Sequence, residues 1–118
     1  MATFSFSKAE RLSSKKLIQE LFDKGSSFYL HPFKIFFLKT DQTELNQLLI
    51  SVPKSNFKRA VDRNALKRRI REGYRLNKSS VSSDKKFLIA YIYSAKEILP
   101  SAIIHQKIIS SLKKITEK

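Results

Sequence analysis

The segment KFLIAYIY at residues 86–93 constrains the fold of this chain more than any other stretch. It is rich in aromatic and β-branched residues, a composition typical of a strand at the centre of a sheet. A central strand needs a neighbouring strand on each side, so a sheet is expected to form the core. The 118 residues suffice for one domain, residues 1–118, with one modest core.

Two further segments have the alternation of strands. In FKIFFLK at residues 33–39, one side of the strand is expected to carry Phe33, Ile35 and Phe37, and the other Lys34, Phe36 and Leu38. NQLLISV at residues 46–52 predicts a second strand, which ends at Pro53. Because a short polar connection, TDQTE, separates these two segments, we expect them to form an antiparallel pair.

Both ends of the chain have the spacing of amphipathic helices. SSKKLIQELFDKG at residues 13–25 offers Ser13 or Ser14 as the N-cap and Gly25 beyond the last turn. A second helix is expected to begin near Pro100 and to turn four apolar residues toward the sheet: Ile104, Ile108, Leu112 and Ile115.

A strongly basic segment, KRAVDRNALKRRIREGYR at residues 58–75, holds eight Lys and Arg and two acids at helical spacing. On a wheel of about 100° per residue, the inward side holds Leu66, Ile70, Gly73, Tyr74 and Asn77. Acids four residues away would relieve repulsion among the cations of a solvated helix face, and the outward arc has none. We therefore interpret this arc as a phosphate-binding surface. It is called the basic arc below and consists of Arg63, Asn64, Lys67, Arg68, Arg71 and Arg75.

The composition points to a polyanionic partner. The chain has 24 Lys and Arg against ten acids, a net charge of +14, which favours nucleic acid first and an anionic membrane surface second. It has no cysteine, its two histidines are far apart and its acids are dispersed, so no catalytic residue and no metal ligand is predicted. Because no segment approaches the roughly eighteen apolar residues of a membrane span, we expect a soluble cytoplasmic protein with no membrane partner.

A motif with many fixed positions, Ala-Val-x-Arg-Asn-x-x-Lys-Arg-x-x-Arg-Glu, runs from Ala60 to Glu72. With ISVPKS before it and the upstream landmarks Arg11, Leu12 and Gly25, the chain resembles the protein subunit of bacterial ribonuclease P. The resemblance implies an α+β fold, a two-layer α/β sandwich of order α-β-β-β-α-β-α, like domain 2 of ribosomal protein S5. It also implies a left-handed crossover through the basic helix, an exception to the usual handedness.

The same resemblance implies a binding subunit in which the RNA, and not the protein, is catalytic. The ribonuclease P RNA subunit, using Mg²⁺, would hydrolyse the phosphodiester bond that joins the 5′ leader to tRNA in precursor tRNA. It would bind the basic arc and the loop before it, through Lys54, Lys58, Arg59, Arg63, Asn64, Lys67, Arg68, Arg71 and Arg75. The single-stranded leader would lie in a cleft between the first helix and the sheet, called the leader cleft below and formed by Ile18, Phe22, Lys34, Phe36 and Ser51.

Three positions depart from the family's pattern. Ala65 replaces a usual arginine, and a small loss of RNA affinity is expected because this position lies outside the basic arc. Ile18 replaces a residue that is commonly aromatic, which weakens the case for base stacking there. Lys54 stands alone where a lysine pair is frequent, and Lys58 and Arg59 are expected to compensate.

Other functions remain open at this point. A ribosomal or other structural RNA-binding protein would account for the charge but not for the motif. A DNA-binding architectural domain is a third possibility, but no helix-turn-helix or zinc finger is recognisable, so no DNA partner is expected. An autonomous nuclease would need clustered carboxylates or histidines. In the favoured interpretation, charge reversal at Arg63 and Lys67 abolishes binding of the RNA subunit with little change in fold.

Overall fold

The structure, a computed structural model, describes residues 10–41, 46–77 and 86–116. Within these ranges there are three helices and four strands, in the order α1 (Lys15–Lys24), β1 (Ser26–Leu30), β2 (Phe33–Thr40), β3 (Gln47–Ser51), α2 (Ala60–Asn77), β4 (Lys86–Tyr93) and α3 (Ser101–Thr116). This order confirms the α+β fold that the resemblance implies. None of these three helices has the length and apolar character needed to cross a bilayer.

The four strands form one sheet in the order β1-β2-β4-β3. β4 pairs antiparallel with β2 on one side and parallel with β3 on the other. All of its residues except Lys86 and Ile92 are buried. The predicted central position of segment 86–93 is therefore confirmed.

The predicted antiparallel pair of segments 33–39 and 46–52 is wrong. Within the described sheet, β4 lies between β2 and β3, and β3 runs parallel to β4. β4 is apolar on both faces, so placing it at the centre removes more apolar surface from water than a β2–β3 hairpin with β4 at the edge would. α2 supplies the long connection that a parallel pair requires. The left-handedness of this crossover stays a prediction.

The residue pattern alone does not predict β1, although the resemblance implies three strands before the basic helix. β1 has the sequence SSFYL and lies at the edge of the sheet, where it pairs antiparallel with β2. Its residues are exposed or half-buried, so it has little of the apolar alternation that reveals a strand in sequence. A turn at His31 and Pro32, with a cis peptide bond between them, joins it to β2.

The main core lies between one face of the sheet and the helices α2 and α3. Four of the five inward positions predicted for α2 are buried, namely Leu66, Ile70, Gly73 and Tyr74, whereas Asn77 in the last turn is half-buried. The buried side chains of α2 pack in one cluster with the four apolar residues predicted for α3. Gly73 allows the two helices to approach, because a Cβ atom there would lie 2.8 Å from Cδ2 of His105 and 2.9 Å from Cδ1 of Ile108.

α1 packs on the opposite face of the sheet through a smaller buried cluster of Leu12, Leu21, Leu88 and Ala90. Ser14 is its N-cap, and the Ser14 hydroxyl oxygen accepts a hydrogen bond from the Leu17 backbone N–H at 3.4 Å. The helix ends at Gly25, as predicted, but the backbone there is extended, with φ −72°. The reason for glycine is space, because a Cβ atom would collide with the Leu21 carbonyl oxygen and lie 2.9 Å from that of Phe37.

Candidate nucleic-acid interface

The basic arc lies on the side of α2 that faces away from the core. Burial of Leu66, Ile70 and Tyr74 on the inward side turns the arc outward. Its residues differ in exposure: Asn64 and Arg68 are exposed, while the other four are half-buried. Long basic side chains commonly rest their aliphatic stems on neighbouring surface, so partial burial is compatible with a cationic role.

The guanidinium of Arg63, the first residue of the basic arc, is bound to backbone carbonyl oxygens. Nη1 of Arg63 donates to the carbonyl oxygens of Phe57 at 2.7 Å and Lys58 at 2.9 Å. These bonds hold the loop at residues 53–59 against the start of α2. A charge reversal at Arg63 would therefore disturb this loop, contrary to the expectation that the fold would change little.

The loop at residues 53–59 presents three exposed cations, Lys54, Lys58 and Arg59, beside the first turn of α2. The buried Phe57 side chain anchors the loop to the core. Nε of the exposed Arg59 lies 4.0 Å from Oδ2 of the half-buried Asp62, and a surface ion pair of this length contributes little to stability. The loop and the basic arc together form one continuous cationic surface.

Arg11 joins this surface from a distant part of the sequence. The segment before α1 forms a parallel bridge to β3, in which the Leu12 N–H donates to the Leu48 carbonyl oxygen at 2.9 Å. This bridge brings Arg11 next to α2. The two elements line a surface depression of about 220 Å³, whose lining residues are Arg11, Arg68, Arg71, Glu72 and Arg75. Arg75 is ion-paired with Glu72 there, so part of its charge is already used. In sequence Arg11 is only a landmark of the resemblance, because no local pattern of charge predicts its approach to α2.

A groove of about 280 Å³ runs along the outer edge of β3 and connects the two faces of the sheet. Lys67 and Arg71 line it from α2, and Arg11 lines it from the segment before α1. Two β3 residues in the groove belong to different sides, since Leu48 packs in the main core and Leu49 packs in the cluster under α1. The basic arc and the α1 face of the sheet therefore meet at this edge.

The predicted leader-cleft residues lie together on the α1 face of the sheet. Across the strands, Phe36 is aligned with Ala90 and Leu49, and Lys34 is aligned with Ile92 and Ser51. Aligned residues of neighbouring strands share a face. Ser51 therefore lies in the same row as Lys34, although the two are on strands that do not touch.

Two aromatic rings form the centre of the leader cleft. The ring centroids of Phe22 on α1 and Phe36 on β2 are 4.7 Å apart in an edge-to-face arrangement. Phe22 is 39% exposed and Phe36 is half-buried, so both rings leave surface accessible. Nζ of Lys34 lies 5.8 Å from the Phe36 centroid. Ile18 is half-buried against the cluster under α1, as expected for a packing residue.

Acid and histidine side chains do not cluster in the described ranges: no group of three or more could hold a metal ion. The buried phenols serve packing and hydrogen bonding instead. Oη of Tyr91 lies 2.6 Å from Oγ of Ser111, and burial raises the pKa of Tyr91 well above its ordinary value. Burial, with the Glu10 carboxylate, likewise raises the pKa of Tyr74. Both phenols are therefore neutral at physiological pH.

Comparison with known proteins gives two similar relatives that share the name Ribonuclease P protein component. The protein from Porphyromonas gingivalis is 40% identical over 79 residues, which is 65% of this chain and 58% of that protein. The protein from Chlorobium phaeobacteroides is 38% identical over 82 residues, which is 65% of this chain and 56% of that protein. The chain thus spans less than three fifths of the length of these relatives.

Solved structures with the same fold extend over more of the chain. The RNase P protein of Staphylococcus aureus has a TM-score of 0.74 and 27% identity, covering 93% of this chain and 97% of that one. The RNase P protein of Thermotoga maritima has a TM-score of 0.75 and 29% identity, covering 89% of this chain and 96% of that one. The family model described as Ribonuclease P matches residues 6–116. Since this match extends over nearly the entire sequence, the chain belongs to the Ribonuclease P family.

Proposed function

We propose that this chain is the protein component of a ribonuclease P ribonucleoprotein and that it binds two RNAs, the catalytic RNA subunit and the 5′ leader of precursor tRNA. The observation that carries the proposal is the groove at the outer edge of β3. Lys67 and Arg71 of the basic arc line this groove together with Leu49 of the α1 face. An RNA docked on the arc would therefore lie directly beside the leader cleft.

The RNA subunit is proposed to dock on the basic arc, the loop at residues 53–59 and Arg11. Arginine forks and lysine ammonium groups bind phosphate oxygens by charge-assisted hydrogen bonds and release the counterions of the RNA. The surface combines exposed and half-buried cations on a rigid helix, so they are held in position before binding. Arg63 contributes by holding the loop, while Lys67 and Arg71 are available along the groove.

The leader is proposed to bind in the leader cleft as a single strand. Unpaired bases stack on aromatic rings, and this interaction tolerates any base. Phe22 and Phe36 supply partly accessible rings, and Lys34 supplies a cation 5.8 Å from the Phe36 centroid for a neighbouring phosphate. Precursor tRNA can make these interactions and mature tRNA, which has no leader, cannot, so they favour substrate over product.

Hydrolysis is proposed to be carried out by the RNA subunit with Mg²⁺. The cationic surface of the protein attracts phosphates and repels divalent cations, so it suits the RNA and not the metal ion. The protein would contribute by reducing repulsion between two polyanions and by binding the leader. The ribonucleoprotein as a whole is then an endoribonuclease, and this chain is its accessory subunit.

Reconstitution tests this function. Purified protein is added to the RNA subunit at a magnesium concentration too low for the RNA alone, and cleavage of precursor tRNA is measured. We expect the protein to restore cleavage, to bring no cleavage without the RNA subunit, and to make precursor bind more tightly than mature tRNA. Cleavage by the protein alone would contradict the proposal.

Competition between ligands separates the alternatives. A structural RNA-binding protein would bind precursor and mature tRNA equally, and an architectural DNA-binding domain would prefer duplex DNA. We expect the complex of the protein with the RNA subunit to bind precursor tRNA in preference to mature tRNA and to duplex DNA when the three compete. Equal competition by mature tRNA would contradict the role of the leader cleft.

A further inference from the structure

We propose that Tyr29 is a second base-stacking position for the leader, next to Phe36 on the open part of the α1 face. This inference rests on the function proposed above for the leader cleft. The Tyr29 side chain is 56% exposed, more than any other aromatic side chain in the described part of the sequence. It belongs to neither of the buried core clusters. Its exposure therefore has no explanation in packing.

The register of the β1–β2 hairpin places Tyr29 beside the leader cleft. Tyr29 is aligned with Lys34 on the neighbouring strand, so the two side chains share a face. Lys34 and Phe36 are two residues apart on β2 and share that face too. Tyr29 and Phe36 are then diagonal neighbours, about 7–8 Å apart at the backbone, with Lys34 beside both.

Among the residues that the structure describes, α1 does not extend over this end of the sheet face. The helix packs on Leu88 and Ala90 of β4. The next row along the sheet contains Lys34, Ile92 and Ser51. Lys34 in this row is exposed, and the other two are half-buried. The row therefore extends the leader cleft beyond the edge of α1. Tyr29, which is aligned with Lys34, is the last residue of this row, on β1.

Polar contacts hold the Tyr29 ring in place. Oη of Tyr29 and Nδ1 of His31 are hydrogen-bonded at 3.1 Å, and Oγ of Ser94 lies 3.4 Å from the same Oη. The Ser94 N–H also donates to the Pro32 carbonyl oxygen at 2.8 Å, which ties the segment after β4 to the β1–β2 turn. A ring fixed at its hydroxyl end loses less conformational freedom when a base stacks on it.

The ligand that fits is an unpaired nucleotide. An exposed ring beside an exposed lysine offers one surface for a base and one cation for its phosphate, in a chain with a net charge of +14. Lys34 is aligned with Tyr29 and its Nζ lies 5.8 Å from the Phe36 centroid, so it would hold a phosphate of the nucleotides stacked there. The leader would thus bind along β2 and β1, first at Phe36 and then at Tyr29.

The test uses the reconstituted holoenzyme and precursor tRNAs whose leaders are lengthened one nucleotide at a time. Tyr29→Leu removes the aromatic ring and retains an apolar side chain, whereas Tyr29→Phe retains the ring. We expect Tyr29→Leu to weaken binding of long-leader precursors about fivefold or more and to leave the shortest leaders unaffected. Tyr29→Phe retains the ring and loses only the hydroxyl contacts that hold it, so its binding should fall by no more than about twofold, less than that of Tyr29→Leu. Equal binding of long leaders by Tyr29→Leu and wild type would overturn the inference.

A fluorescent variant gives a second measurement that does not depend on loss of function. The chain has no tryptophan, so Tyr29→Trp introduces a single reporter. We expect precursors with long leaders to quench its emission and mature tRNA to leave it unchanged. Emission that does not respond to any leader would overturn the inference even if Tyr29→Leu destabilises the hairpin.

The outcomes distinguish the two proposals. If wild-type holoenzyme binds precursor and mature tRNA equally, the function proposed for the leader cleft is wrong. If wild type prefers precursor and Phe36→Ala loses this preference while Tyr29→Leu retains it for every leader length, only the role of Tyr29 is wrong.

Discussion

Nη1 of Arg63 donates to the carbonyl oxygen of Phe57 at 2.7 Å, so a cation of the basic arc holds the loop that precedes it. A second bond, to the Lys58 carbonyl oxygen at 2.9 Å, completes the attachment. The Arg-Asn motif of this chain therefore contains one arginine that binds the protein backbone. Arg63 is therefore expected to affect RNA binding indirectly, because it fixes the positions of the loop cations Lys54, Lys58 and Arg59.

Replacing Arg63 by Ala should therefore lower stability as well as RNA affinity. Loss of charge-assisted hydrogen bonds to two carbonyl oxygens is expected to reduce the free energy of unfolding by about 1.5–3 kcal/mol, measured by urea denaturation. The matched control is Arg68→Ala on the exposed part of the arc, which should change stability by less than about 0.5 kcal/mol. Equal stability of the two variants would contradict a structural role for Arg63.

Neutralising Lys67 should reduce the salt dependence of binding to the RNA subunit. The slope of log K against log salt concentration falls by about 0.7–0.9 for each phosphate that the protein no longer neutralises. We expect Lys67→Ala to show this decrease when affinity is measured over a series of salt concentrations. Lys113→Ala removes the same charge from the last turn of α3 and should leave the slope unchanged. Parallel decreases in both variants would indicate a diffuse charge effect and contradict a phosphate-binding role for Lys67.

Replacing Phe36 by Ala should erode the preference of the holoenzyme for precursor over mature tRNA. The ring is expected to stack on a leader base, an interaction worth about 1–3 kcal/mol. The measurement is the ratio of the two dissociation constants. Phe28→Ala is the control, because Phe28 lies on β1 and packs on Phe37 at a centroid distance of 5.8 Å on the other face of the sheet. An unchanged ratio in Phe36→Ala would exclude stacking at this position.

Replacing Gly73 by Ala should destabilise the protein although alanine is the better helix former. Alanine would gain about 1 kcal/mol in an isolated helix. In α2 its Cβ atom would lie 2.8 Å from Cδ2 of His105, and such overpacking costs about 1–3 kcal/mol. We expect a net decrease in the free energy of unfolding. His105→Ala in the same chain should restore part of it, and a Gly73→Ala variant more stable than wild type would contradict the close packing of α2 on α3.

Local periodicity was enough to predict most of the elements. The spacing of apolar residues identified α1, α2 and α3, and the alternation in segment 33–39 assigned Phe36 to the face opposite the core. These predictions succeeded because each depends on which side of a single element avoids water. β1 could be predicted only from the family resemblance, since an exposed edge strand carries little apolar alternation.

Strand pairing was not predictable in the same way. The position of β3 beside β4, and not beside β2, depends on the free energy of burying the most apolar strand at the centre of the sheet. The wrong expectation of a β2–β3 hairpin came from their proximity in sequence. Proximity lowers the entropic cost of closing the loop between two strands, but here the free energy gained by burying β4 outweighs that saving.

The amino-acid pattern was sufficient for the type of each predicted element, the inward side of α2, the cations of the basic arc and the grouping of Phe36 with Lys34. The folded arrangement was needed to see that Arg11 reaches the basic arc, that Arg63 holds a loop and that Tyr29 lies beside the leader cleft. The physical reason is that periodicity reflects only how the two sides of a single helix or strand meet water. Arg11 reaches the basic arc because the fold brings together segments that are distant in sequence. The contacts of Arg63 and Tyr29 join residues five or six positions apart, through a loop and a hairpin whose geometry no periodic pattern describes.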